Sequence, residues 1–215
     1  FHLYGIEEGE AVEKRDPAVK IISLTTPVIK RFAMMGVAGY IAPVHLKAIK
    51  STGNLLTGAF DPNDSVGILD SYFPEADFFT EFERFDRFIH KQKRLNTPVD
   101  FISICSPNYL HDSHVRFTLR SGADAICEKP VALNPWNLDA LETIEQETGR
   151  KTFVVMQLRY HPAVLALKKK IAEANTNKKL EVVLTYITSR GKWYFNSWKG
   201  DEAKSFEALK RAFAS

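Results

Sequence analysis

At 215 residues, 45% of them hydrophobic and 26% charged, the chain has the make-up of a globular protein with a substantial core. It has room for one large domain, or for one domain and part of another. A formal charge of +3 is small for this length, and the dispersed Lys and Arg lack the aromatic interleaving of a nucleic-acid binder, so only a slight bias toward an anionic ligand remains. No apolar stretch reaches the length of a membrane span and no signal peptide is evident, which sets the expectation of a cytoplasmic protein without a membrane partner, although the chain opens on Phe1 and not on Met.

Residues 1–31 are an unassigned extension: a charged run, EEGEAVEKRD, is followed by VKIISLTTPVIK, which has strand character. Phe32 to Val37 is then an almost unbroken apolar run, the signature of a strand buried on both faces of a parallel sheet. Gly36 and Gly39 mark a turn in which Ala38 and Ile41 stand where a G-x-G-x-x-G fingerprint has its second and third glycines. A tight turn of small residues lets backbone approach a pyrophosphate whose charge rests on the next helix N-terminus. Ile41, His45, Ala48 and Ile49 recur at helical spacing. Leu55–Phe60 is a second strand ending on Asp61, 25 positions after Gly36, where the fingerprint expects an acid to hold a ribose and disfavour a 2′-phosphate. These features point to NAD and call for no metal.

Downstream, the spacing predicts a helix over Ser65–Phe73, a strand over Ala76–Thr80 and a helix over Glu81–Arg94 whose Phe82, Phe85, Phe88 and Ile89 form a core stripe. Further strands are expected at Asp100–Ser106, Asp124–Cys127 and Thr152–Leu158. Helices are expected at Asn108–Arg120 and at Asn134–Thr148, the latter with Asn134 as N-cap and Gly149 as stop. Cys105 and Cys127 lie in apolar strand-like runs and read as buried free thiols. Alternating strands and helices imply a doubly wound α/β sheet, a Rossmann-type domain over 32–151, followed by an incomplete α/β substrate and oligomerisation domain over 152–215. The loops at Gly36–Ala42, Asp61, Ser106–His111 and Glu128-Lys129-Pro130 should share one crevice at the carboxyl ends of the strands. There Lys129 suits a group that hydrogen-bonds a sugar hydroxyl and moves its proton, or reads as a solvated turn lysine; the proline makes a cis peptide possible.

Six separated motifs, GVAGYIAPVHLKAI, FDPNDSVG, ICSPNYLHDSHV, ICEKPVAL, QLRYHP and TYITSRGKWYFNSWKGDEAKS, agree in order with one family. From Phe32 to Ser205 the chain resembles the glucose–fructose oxidoreductase/inositol dehydrogenase/MocA family. Within it the likeness is to the bacterial branch that oxidises UDP-N-acetylglucosaminuronate at C3. The resemblance implies NAD as cofactor, with Gly36, Gly39, Tyr40 and Ile41 at the pyrophosphate, Asp61 at the ribose, Ser106, Asn108 and His111 on the nicotinamide side and Glu128 touching the cofactor. It implies Lys129 as the catalytic lysine, and Arg159, Tyr160, His161, Arg190, Trp193 and Lys199 toward a UDP-N-acetyl-hexuronate. A keto-acid for cofactor recycling, a role in surface-polysaccharide synthesis and a homo-oligomer built on a complete substrate domain are further implications.

Blander readings stand beside these. His111 and His114 read equally as surface residues at a helix start. Trp193, Tyr194 and Trp198 read equally as packing, and Arg159 and Arg190 as partners of nearby acids. The chain ends FEALKRAFAS where the family continues into its catalytic histidine, so a silent NAD-binding protein is the alternative to an active dehydrogenase. Leu180–Ser189 has the character of one strand of the otherwise missing sheet, and another sugar or polyol dehydrogenase is a third reading.

Overall fold

The computed structural model describes residues 28–64, 66–174, 183, 185, 192–201 and 204. Its first strand, β1 (Arg31–Met35), places Phe32 and Met34 in one core cluster and Ala33 and Met35 in the other, the period-two alternation of a strand covered on both sides. Five more strands lie parallel to it: β2 (Leu55–Phe60), β3 (Asp77–Phe79), β4 (Phe101–Ile104), β5 (Asp124–Cys127) and β6 (Thr152–Val154). Their order is β3-β2-β1-β4-β5-β6. The chain winds outward from β1 on one side, returns to the middle, and winds outward on the other, as the strand–helix alternation predicts.

Helices α1 (Ala42–Ser51) and α2 (Ile68–Tyr72) bury Leu46, Ile49 and Leu69 with Met34, Leu56 and Ile126. Helices α3 (Phe82–Arg94), α4 (His111–Ser121) and α5 (Pro135–Thr148) bury Phe85, Val115, Leu119, Leu141 and Ile144 with Met35, Ile102 and Ile104. The aromatic stripe of α3 is core, as expected. Phe79 and Phe88 rings lie 5.2 Å apart, and Phe82 meets Phe117 edge-on at 5.0 Å. Both cysteines are buried and free.

Several boundaries differ from the sequence reading, each for a local reason. The last β6–β5 ladder bond runs from Val155 N–H to Cys127 O, after which β5 turns away. With no partner left, Gln157–Tyr160 closes into a 3₁₀ turn where the sequence continues to look like strand. The segment after β4 begins as a 3₁₀ turn, Asn108–Leu110, before α4, which stops at Gly122 with φ +94°. Asn134 occupies the N-cap of α5, but its side chain makes no capping bond. Pro135, with φ preset for the first turn, starts the helix, and Gly149 ends it at φ +66°.

Helix α6 (Pro162–Ala174) has no buried residue, and α7 (Lys192–Asn196) is followed by a 3₁₀ turn at Trp198–Gly200. No described helix is long and apolar enough to cross a membrane. The strand expected at Leu180–Ser189, apart from Val183 and Thr185, and residues 19–27 of the stretch with strand character lie outside the described residues.

Candidate cofactor site

The carboxyl ends of the strands are stitched into a row by four amides. Gly36 N–H donates to Phe60 O at 2.8 Å, Asp61 N–H to Phe79 O at 3.1 Å, Cys105 N–H to Met35 O at 2.8 Å and Glu128 N–H to Ile104 O at 3.0 Å. The four predicted loops therefore leave the sheet side by side, and the winding direction reverses between β1 and β4, where ligands of such sheets bind.

Gly36 has φ +85°, and a Cβ there would lie 2.5 Å from Ser106 N and 2.6 Å from Cys105 C; one on Gly39 would lie 3.1 Å from Gly36 O and 3.2 Å from Cys105 O. Gly36 is thus required by the β4 loop packed under the turn, and Gly39 lies where a Cβ would fit only tightly, a packing reason beyond the tight turn and pyrophosphate approach expected from the sequence. The turn satisfies its own amides in part: Gly39 N–H donates to Gly36 O, Ala42 N–H to Gly39 O and Val44 N–H to Ile41 O. None of these bonds engages the amides of Tyr40 and Ile41, which sit at the positive end of α1, a helix with no acid in its first turn. The Tyr40 side chain is 90% exposed. Two amides uncommitted among the described residues, at a helix N-terminus over a floor too tight for a Cβ, suit the diphosphate of a dinucleotide.

Asp61 is only 5% exposed. Its Oδ2 accepts from Ala38 N–H at 3.0 Å, and its Oδ1 accepts from the backbone and side-chain amides of Asn63 at 3.0 and 3.1 Å. The residue expected at the ribose therefore also braces the glycine turn from β2, with acceptor capacity left on Oδ2.

Beyond the switch point, Ser106 Oγ and His114 Nδ1 are 2.9 Å apart, and the His114 ring stacks on Phe82. Burial and the charge of the neighbouring His111 push His114 down to about 4. His111 is fully buried between two carbonyls, with Ser106 O 2.8 Å from Nε2 and Pro130 O 2.6 Å from Nδ1. The surface reading of both histidines is corrected: the helix start that carries them packs inward on the loops after β4 and β5. Asn108 is half-buried in the 3₁₀ turn ahead of them. The Lys129–Pro130 peptide is cis, and Lys129 is exposed.

Glu128 is held by a residue that sequence reasoning counted only as part of a helical face. His45, on the buried face of α1, places Nε2 3.0 Å from Glu128 Oε1 and Nδ1 2.7 Å from Ser103 Oγ on β4. Burial opposes the charge on this ring, but its interactions with Cys105 and Glu128 outweigh burial and raise His45 to about 10. The available signal was a histidine on an otherwise apolar helix face, opposite a strand serine and a strand-end acid. Cys127, fully enclosed, is raised well above the ordinary thiol range by burial and by the nearby Cys105 and Glu128.

The residues expected toward substrate are less gathered. Arg159, Tyr160 and His161 are exposed at the turn after β6, and His161 Nδ1 accepts from Ala163 N–H at 3.2 Å at the start of α6. Lys199 lies over the rings of Tyr194 at 5.3 Å and Trp198 at 5.6 Å. Arg190 and the side chain of Trp193 lie outside the described residues.

Residues 30–156 match the model of an oxidoreductase family with the NAD-binding Rossmann fold, GFO_IDH_MocA. The chain belongs to this family. Among curated relatives of the family, inositol 2-dehydrogenase of Rhizobium meliloti (strain 1021) is 27% identical over 164 residues, 74% of this chain and 45% of the relative. Among solved structures, the WlbA (WbpB) dehydrogenase from Thermus thermophilus in complex with NAD and UDP-GlcNAcA is 50% identical, with a TM-score of 0.79, over 82% of this chain and 57% of that one. The same enzyme in complex with NAD and alpha-ketoglutarate matches with a TM-score of 0.77. The chain thus spans about half the length of these relatives. The family and fold expected from the six motifs are those found.

Proposed function

We propose that this chain acts as an NAD-dependent dehydrogenase that oxidises the C3 hydroxyl of a UDP-N-acetyl-hexuronate to a 3-keto sugar. The observation that carries the reading is the single row of Gly36, Asp61, Ser106 and Glu128-Lys129-Pro130 across the switch point. Its support is 50% identity to a dehydrogenase solved with NAD and UDP-GlcNAcA.

When bound, the nicotinamide supplies the hydride acceptor. The Tyr40 and Ile41 amides and the α1 dipole hold the diphosphate, and the remaining acceptor on Asp61 takes a ribose hydroxyl while its charge repels a 2′-phosphate. Glu128 and the Ser106–His111 segment border the nicotinamide end. Lys129, exposed at the rim, would hydrogen-bond the reacting hydroxyl and take up its proton as the sugar carbon is oxidised. Arg159 and Lys199 supply positive charge for the uronate and diphosphate of the substrate. A keto-acid regenerates the cofactor, as the neighbour solved with alpha-ketoglutarate suggests.

NAD titration by calorimetry, followed by absorbance at the NADH band after adding UDP-N-acetylglucosaminuronate, tests this. Binding that disappears in Gly39→Val, with turnover on the UDP-uronate and none on free hexoses or inositols, is the expected result. Binding without turnover marks a silent cofactor domain, and turnover only on free sugars moves the assignment to another branch of the family.

A further inference from the structure

We propose that His45 is a positioning residue: clamped between Ser103 and Glu128, it ties helix α1 to the Glu128-Lys129-Pro130 turn and sets the spacing between the diphosphate end and the lysine end of the crevice. The inference rests on the NAD-binding reading above and deepens it.

Three observations converge. First, the ring spans three separate elements, α1 through its own backbone, β4 through Ser103 Oγ at 2.7 Å and the end of β5 through Glu128 Oε1 at 3.0 Å, so both ring nitrogens are committed and the ring cannot rotate without losing a bond. Second, the His45 and Glu128 side chains are only 9% and 12% exposed, where a hydrogen bond to a charged group is strong and its loss is felt. The charge that the site keeps on His45 agrees with this. Third, His45 lies one helical turn from Ile41, whose amide is open at the helix N-terminus, and Glu128 immediately precedes Lys129. A shift at the clamp is therefore passed to both ends of the crevice across a single turn of helix and a single peptide.

On the Glu128 side the other bonds among the described residues hold only the backbone. Its N–H donates to Ile104 O, and its carbonyl accepts from Cys127 Sγ–H at 3.2 Å. The carboxylate's orientation is left to His45, so the histidine acts on the cofactor through Glu128 and not by touching it.

The test compares His45→Leu, His45→Gln, Glu128→Gln and the His45→Gln/Glu128→Gln double variant, reading NAD affinity by calorimetry well below each melting temperature, with the melting temperature measured separately. His45→Gln keeps an uncharged donor that reaches Glu128. Positioning predicts that folded His45→Leu binds NAD about tenfold more weakly, the size of one charge-assisted hydrogen bond. It also predicts partial recovery in His45→Gln, and a double variant no weaker than the worse single one, because the two residues act as one unit. A purely structural role lowers the melting temperature and leaves the affinity of the folded protein within about twofold, which overturns the proposal. If His45→Leu does not fold, additive losses in the Gln cycle overturn it instead. Absence of NAD binding by the unmutated chain defeats the underlying reading, whereas normal binding with unaltered variants defeats this inference alone.

Discussion

Gly36 shows how one residue serves fold and site together. Its φ of +85° is strained for any side chain, and the space a Cβ needs is already filled by Ser106 N and Cys105 C, which belong to backbone and cannot move aside cheaply. Gly36→Ala is therefore expected to cost about 2–4 kcal/mol of stability, read as a lower urea midpoint. It should also weaken NAD by more than tenfold in whatever protein remains folded, because relief of the clash pushes the turn away from the β4 loop. A midpoint within experimental error of the unmutated chain contradicts the close approach. Asp61 has the same dual character. Its carboxylate was legible as a ribose ligand from its distance along the chain, but its bond to Ala38 N–H, which props up the turn from the neighbouring strand, depends on a pairing that sequence order alone does not display.

At the scale of elements, α3 is the clearest case. Phe82, Phe85 and Phe88 recur at helical spacing, and Phe85 is fully buried against Phe60, Phe79 and Phe117 at ring separations of 5.9–6.1 Å. Phe85→Ala should destabilise by about 3–5 kcal/mol, measured by thermal or denaturant unfolding, while NAD affinity of the folded fraction stays near that of the unmutated chain, since the ring partners of Phe85 are Phe60, Phe79 and Phe117 and none of these is a cofactor-site residue. The order of strands and helices was legible because buried parallel strands and amphipathic helices leave different periods in the sequence. What was not legible depended on partners. The end of β6 is set by where β5 stops. His111 and His114 are buried because the Ser106 segment just ahead of the helix presents a carbonyl and a hydroxyl to them, and the Pro130 loop, 19 residues from His111, presents a second carbonyl. His45 could be read as one member of an apolar face, since its two partners lie 58 and 83 residues further along.

For the whole molecule, the buried titratable groups predict a stability profile that falls on both sides of neutrality. His114 titrates near 4 in the fold and near 6.5 when unfolded, so between these values the unfolded chain binds the extra proton. Its contribution is complete above about 6.5 and is lost as pH falls toward 4. His45 has the opposite sign: it is protonated in both states below about 6.5, the fold keeps the proton up to about 10, and the stabilisation is lost as pH rises through that window. Cys127, raised by burial, adds to the alkaline loss once unfolded thiols begin to ionise. Urea midpoints at pH 4.5, 6.5 and 9.5 should therefore be highest at pH 6.5, with limbs on the order of a few kcal/mol. His114→Gln should flatten the acid limb and leave the alkaline one, and His45→Gln should do the reverse. An acid limb unchanged by His114→Gln, or an alkaline limb that His45→Gln does not reduce toward the part due to Cys127, would show that other groups govern the profile, and the latter would remove the electrostatic basis for a charged His45 bridging α1 to Glu128.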